Sequence, residues 1–274
     1  MNKIRSDADK YPLTHAVVIT LFATGLVSLP INELFVALFG EGKTVEFCAE
    51  IFIRLILSAA AIRFIFIYGY GKIIFNKASL VGVISVIPAI IVAVNNFPII
   101  AFVTGGAKLT AGAADTVLYV IFCIFIGIFE ETVFRGLVFP LFLERVKGKK
   151  FGVFLAVFFS SALFGGVHLI NLFSGAAAGA VFLQVGYSFL IGGMCAISVC
   201  LSGNLFTAVA IHSIFDIGGL MMDGRLNVAV GYQWDTVTVV TTAVIGVIVT
   251  AYMLYRLFTM SYDSVKNLYK SDEN

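Results

Sequence analysis

Six side chains in this sequence carry acid–base groups at helical spacing: Glu130, Glu131, Arg135, His168, His212 and Asp216. They lie in three strings, Glu130-Glu131-Thr132-Val133-Phe134-Arg135, Phe164-Gly165-Gly166-Val167-His168 and His212-Ser213-Ile214-Phe215-Asp216, each within strongly apolar sequence. In each string, groups four residues apart share one face if the segment is helical. Carboxylates and imidazoles at such positions are the usual agents of proton transfer to or from a reacting group. Placed at membrane depth they are costly, so they face a protein or water-filled interior and mark a functional site.

Glu131 and Arg135 stand at i and i+4, which predicts a salt bridge along one helix. Glu130 projects about 100° away from Glu131 and is free for other work. His212 and Asp216 share a face, and Asp216 is expected to orient or charge-stabilise the imidazole. The bland reading makes each string structural: a charge-paired kink and two satisfied core histidines. That reading leaves Glu130 without a partner. His15 opens the first apolar run with no acidic partner nearby in sequence, and it receives no role.

The elements that position these residues follow from composition. The chain of 274 residues is 60% hydrophobic and 12% charged, and its mean hydropathy is +1.01. A soluble domain carries about 25% charged residues. The expectation is an all-α, polytopic membrane helix bundle with the lipid bilayer as its partner. Hydropathy places about eight spans near 13–39, 47–70, 79–101, 115–143, 151–172, 176–201, 204–221 and 234–258. No long polar linker divides them, so residues 1–274 read as a single membrane domain. The first run follows Lys3, Arg5 and Lys10 but lacks a small-residue cleavage site, and reads as a span kinked near Pro30, not a removed leader. Formal charge is +2 without a long basic run, so no nucleic-acid partner is expected. Cys48, Cys123, Cys195 and Cys200 lack metal-ribbon spacing and read as small buried hydrophobes.

Lysine and arginine set the orientation. With the N-terminus in the cytoplasm, twelve fall on the cytoplasmic face, from Lys3 to Lys270, and only Lys43, Lys108 and Arg225 on the other. This predicts an even number of spans and cytoplasmic termini in the cell membrane. Glu50 and Arg54 are expected to pair at i,i+4 as a structural contact, Arg63 to snorkel, and Asn95 and Asn96 to bond between helices. Glu130 and His168 lie about fifteen and eighteen residues from the basic turn at 145–150, whereas His212 is only about eight from Asn204. Their depths agree only if the fourth and fifth spans extend a few turns beyond the membrane.

The three strings, in order, resemble the CPBP (Abi) family of intramembrane proteases, which includes the type II CAAX prenyl endopeptidases. The family pattern is EExxxR, then FxxxH, then HxxxN or HxxxD, and the resemblance covers about residues 115–220. It implies hydrolysis of a peptide bond in a membrane-tethered peptide or protein. Glu130 and His168 would activate a water, and His212 with residue 216 would stabilise the oxyanion. Glu131 and Arg135 would fix local geometry, and Phe164 would pack against the site. Asp216 departs from the prenyl-protease form, which has Asn there, and an ionised carboxylate donates no hydrogen bond. Glu130, His168, His212 and Asp216 would also suit zinc, so the cofactor stays open between none and zinc. The alternatives are a non-catalytic member acting in bacteriocin self-immunity or as a membrane scaffold, and an ion-coupled carrier. No repeat or pair of matching broken helices supports the carrier.

Overall fold

The computed structural model describes residues 3–222, 228–231 and 236–270. The protein is an all-α membrane bundle. Helices α1 (Lys3–Lys10), α2 (Pro12–Val27), α3 (Ile31–Phe39) and α4 (Lys43–Ile67) lead into the short α5 (Lys72–Phe75), then α6 (Leu80–Asn95) and the short α7 (Ile99–Val103). The next helices are α8 (Ala113–Val133), α9 (Phe139–Arg145), α10 (Gly152–Gly166), α11 (Ala178–Ser202) and α12 (Leu205–Leu220). They are followed by α13 (Thr236–Phe258) and the amphipathic α14 (Tyr262–Tyr269). Two three-residue strands, β1 (Ala107–Leu109) and β2 (Ala229–Gly231), pair antiparallel with Lys108 opposite Val230.

Among the described residues, five helical stretches are long and apolar enough to cross a membrane: Pro12–Phe39, Ala113–Arg145, Gly152–Leu172, Ala178–Ser202 and Val240–Phe258. Helices α6 and α12 are apolar but shorter. Helix α4 has the length but carries Glu46, Glu50, Arg54 and Arg63. Proline sets several limits, because it lacks an N–H and restricts the residue before it. Pro30 separates α2 from α3. Pro98 divides the predicted 79–101 span, which is not one continuous helix but α6 followed by α7.

Helix α8 is the centre of the bundle and packs against α4 and α12. Thr44 Oγ1 donates to Asp115 Oδ1 at 2.9 Å, which brings the N-termini of α4 and α8 together and makes them parallel. Tyr119 Oη donates to the Ile217 carbonyl at 2.5 Å, early in α8 and late in α12, so these two run antiparallel. Gly127 allows the close approach. A Cβ there would lie 2.4 Å from Ser213 Oγ and 3.1 Å from the Val209 carbonyl oxygen. Asn95 donates to Thr242 Oγ1 at 2.6 Å, and Asn96 to the Phe215 carbonyl at 2.7 Å, the interhelical bonds their position predicts.

The helix that begins with α8 does not stop at Val133. It continues through a π-helical turn, Phe134–Val138, into α9. Pro140 has no N–H to give the Gly136 carbonyl, and its ring clashes with that carbonyl in a regular α-helix. The ladder shifts instead to Phe139 N–H bonding Phe134 O. Residues Phe139–Leu143 are buried, in contact with α1, α2 and α14. The extra turns of α8–α9 therefore lie inside a packed layer. His15 belongs to the same layer: Nε2 meets Asp7 at 3.1 Å and Nδ1 meets Tyr68 Oη at 2.6 Å. Its acidic partner Asp7 lies eight residues earlier, on α1, beyond the i,i+4 spacing by which a pair is visible in sequence.

All four cysteines are free; Cys123 and Cys195 are buried, but Cys48 is exposed and Cys200 only partly buried, so the core reading holds for two. Replacement of Gly127 by Val should force α8 and α12 apart and lower stability by about 1–3 kcal/mol, the range for overpacking. Thermal unfolding in detergent should register that loss. Gly246→Ala, where nothing lies within 4 Å, should leave the transition in place.

Candidate active site

A cavity of about 590 Å³ opens between α4, α8, α11 and α12, and Glu130, Phe164, His168, His212 and Asp216 border it. The structure thus brings four of the six chemical groups to one space, from two helices and one 3₁₀ segment. Glu131 and Arg135 lie immediately behind it, both with no exposure.

A chain of charged contacts organises the wall. Arg135 Nη1 donates to Glu131 Oε1 at 3.0 Å, the predicted i,i+4 pair. Nη2 of the same guanidinium donates to the Gly192 carbonyl of α11 at 2.6 Å. Gly192 must lack a side chain for this, since a Cβ would sit 2.8 Å from Nη2 and 2.9 Å from Phe164. The guanidinium stacks 4.8 Å from the centre of the Phe164 ring. Glu131 Oε1 then meets His212 Nδ1 at 2.6 Å. A carboxylate paired with arginine is ionised and only accepts, so Nδ1 carries the proton and Nε2 faces the cavity.

Nε2 lies 3.5 Å from Glu130 Oε2 and 3.5 Å from Asp216 Oδ2. His212 thus takes a hydrogen bond to Glu131 from another helix at Nδ1, while Asp216 stays within ion-pair distance of Nε2, where it can charge-stabilise the ring. Asp216 borders the cavity on the far side of the ring. Phe164 stands edge-on to both imidazoles, 5.7 Å from His168 and 5.7 Å from His212. It fixes the spacing of the two rings. His168 sits in the 3₁₀ segment Val167–Leu172, just past α10.

The opposite wall was not assigned to the site from sequence. Asn32 Nδ2 donates to Glu50 Oε1 at 2.8 Å, and Glu50 forms the expected ion pair with Arg54. Both Glu50 and Arg54 border the same cavity as Glu130. Their i,i+4 spacing signalled the pair, but only the packing of α4 on α8 shows which space it faces.

The zinc reading from sequence names Glu130, His168, His212 and Asp216, and ligand-atom spacing picks out a different group. Among the described residues, the group with one ligand atom each within 4.8 Å of the others is Glu131, Cys195 and His212. Its fit is poor. Glu131 Oε1 already receives Arg135 and His212, and Cys195 points its sulfur at the Ala208 carbonyl at 3.7 Å. A cation there would lie beside the buried guanidinium of Arg135, a like charge.

Residues 112–218 match the family described as type II CAAX prenyl endopeptidase Rce1-like. The match supports the CPBP/CAAX protease family for this chain. It covers all three strings, from the start of α8 nearly to the end of α12. That family is a family of hydrolases that are proteases. No curated protein and no solved structure matches the chain.

The buried pair makes a specific demand on stability. Arg135→Met strands Glu131 in the core and should cost about 3–5 kcal/mol. Glu131→Gln with Arg135→Met removes both charges and should recover part of that loss. Unfolding of the single and double variants in detergent measures the difference, and an additive double variant would count against a coupled pair.

Proposed function

We propose that this integral membrane protein is an endopeptidase that hydrolyses a peptide bond in a membrane-associated peptide or protein. The observation that carries the reading is the shared cavity: Glu130, His168, His212 and Asp216 face one space, with Glu131 and Arg135 holding His212 from behind. The family match over the same residues supports it.

In this reading a water held between Glu130 and His168 gives up a proton as its oxygen attacks the scissile carbonyl. The tetrahedral oxyanion needs a fixed donor where the charge develops. His212 in its protonated form supplies one: Nδ1–H is satisfied by Glu131, and Nε2–H points into the cavity. The proton taken from water passes to the leaving amine, and the products are a carboxylate and an amine. Glu131 is thus a positioning residue, and Arg135 and Gly192 hold Glu131 in place. The bias of Lys and Arg supports cytoplasmic termini in the cell membrane.

The test is cleavage of a panel of membrane-tethered peptides by the purified chain in liposomes, read by mass spectrometry. Glu130→Gln and His168→Ala should each lower the rate by about 10²–10⁴-fold, the usual share of a general acid–base group, with the unfolding transition unchanged. Activity that survives Glu130→Gln would overturn the assignment. Asp216→Asn should retain much of the activity, because an amide can donate beside the oxyanion, and chelator should have no effect. Stoichiometric zinc, lost together with activity in both the chelated enzyme and Asp216→Asn, would replace this mechanism with a metal-centred one.

A further inference from the structure

The two ends of the bundle differ in what they carry. At one end, Lys270 Nζ meets Asp9 at 3.0 Å and Glu144 at 2.8 Å, which joins α1, α9 and α14. Lys72 Nζ donates to the Asn267 carbonyl at 2.6 Å, and Ser79 N–H to the Ser202 carbonyl at 3.0 Å, so the α4–α6 connection and the α11–α12 turn lie there too. These segments, with the 145–150 turn and the end of α13, hold twelve of the lysines and arginines. Among the described residues the other end holds Lys43 and Lys108.

Every helix that lines the cavity lines it toward this second end. Helix α4 contributes Glu46 to Arg54, within its N-terminal half. Helix α8 contributes Phe122 to Glu130, running back from the site toward its N-terminus, which meets that of α4. Helix α12, antiparallel to α8, contributes residues from His212 forward to Leu220. Helix α11 contributes its first half from Gln184, which Asn171 ties to the end of the 3₁₀ segment at 2.8 Å. Glu46 at the outermost position is exposed. In the opposite direction the space is closed: Arg135, Phe134, Phe139 and Tyr269 are all buried beneath it.

We propose that the cavity is reached from the bundle end opposite the termini, and that its substrate is a membrane-tethered polypeptide whose scissile segment is displayed on the non-cytoplasmic side. Positively charged loops stay in the cytoplasm, and the lysine-poor end with the open mouth is the other one. The substrate part of this inference rests on the hydrolase reading; the access route does not.

Accessibility tests the route directly. In cells expressing the full chain with Cys48→Ser, single cysteines are placed at Glu46 at the mouth, at Ser188 and Tyr187 on the cavity wall, and at Lys149 in the basic turn. A charged, membrane-impermeant maleimide should label Glu46→Cys, Ser188→Cys and Tyr187→Cys in intact cells. Lys149→Cys should react only after permeabilisation. Labelling of both wall positions only after permeabilisation, or in neither condition, would overturn the proposal, as would labelling of Lys149→Cys in intact cells. Tyr187→Cys guards against misfolding at buried Ser188. A reporter peptide tethered on the non-cytoplasmic side should then be cleaved, and the same peptide tethered on the cytoplasmic side should not, with Glu130→Gln abolishing the signal. The reverse preference sinks the substrate class. No cleavage on either side with the labelling as expected counts against the hydrolase reading alone.

Discussion

The ion pair between Arg135 and Glu131 is the constraint around which the centre of this bundle is arranged. Two full charges with no exposure are tolerated when each is matched by good geometry and further bonds; here Arg135 Nη1 and Nη2 and Glu131 Oε1 are bonded, while Arg135 Nε and Glu131 Oε2 are buried without a partner. The consequences run outward in a defined order. Arg135 needs a second acceptor, so Gly192 brings a bare carbonyl of α11 to it. Glu131 has a further lone pair on the same oxygen, so His212 of α12 is drawn in. The guanidinium face covers Phe164, whose edges separate the two histidine rings. Four helices are thereby fixed against one another by one buried pair, and the cavity is the space left in front of it.

Local contacts were the legible part of this sequence. The i,i+4 pairs Glu131–Arg135 and Glu50–Arg54 both form, because helical spacing alone brings those side chains together. The three strings share one cavity, as acid–base groups embedded in apolar sequence suggest. The order of contacts across helices was not legible. Nothing in His212-Ser213-Ile214-Phe215-Asp216 says that the imidazole takes its partner from a residue 81 positions earlier, in preference to the carboxylate one turn on. Glu50 and Arg54 were read as structural because pairing is visible in sequence, whereas the space a pair faces is set by packing.

Depth was the other gap. Counting residues from loops placed His212 shallower than Glu130 and His168, since such a count assumes every helix ends at the same plane. The helix through Glu130 runs on into α9, which packs against α1 and α14, so these helices do not all end at the same level. Hydropathy registered Phe139–Leu143 as more span because it is buried and apolar, and burial under protein and burial in lipid select the same residues. The proline breaks divide similarly. Pro30 was visible as a kink, while Pro98 fell within an apolar run whose continuity concealed it.

The π-helical turn at Phe134–Val138 makes the length of this helix a conserved quantity in the mechanical sense. It accommodates one residue more than an α-helix of the same rise, so losing a residue there would let the ladder return to regular α spacing. Everything beyond it would then rotate by about 100° relative to Glu130 and Glu131. Glu144 would swing away from Lys270, and the Leu143 carbonyl away from the Tyr262 hydroxyl that now reaches it at 3.0 Å. The turn thus behaves as a phase adjuster between two differently timed surfaces. One is keyed to the cavity, and the other to α1 and α14.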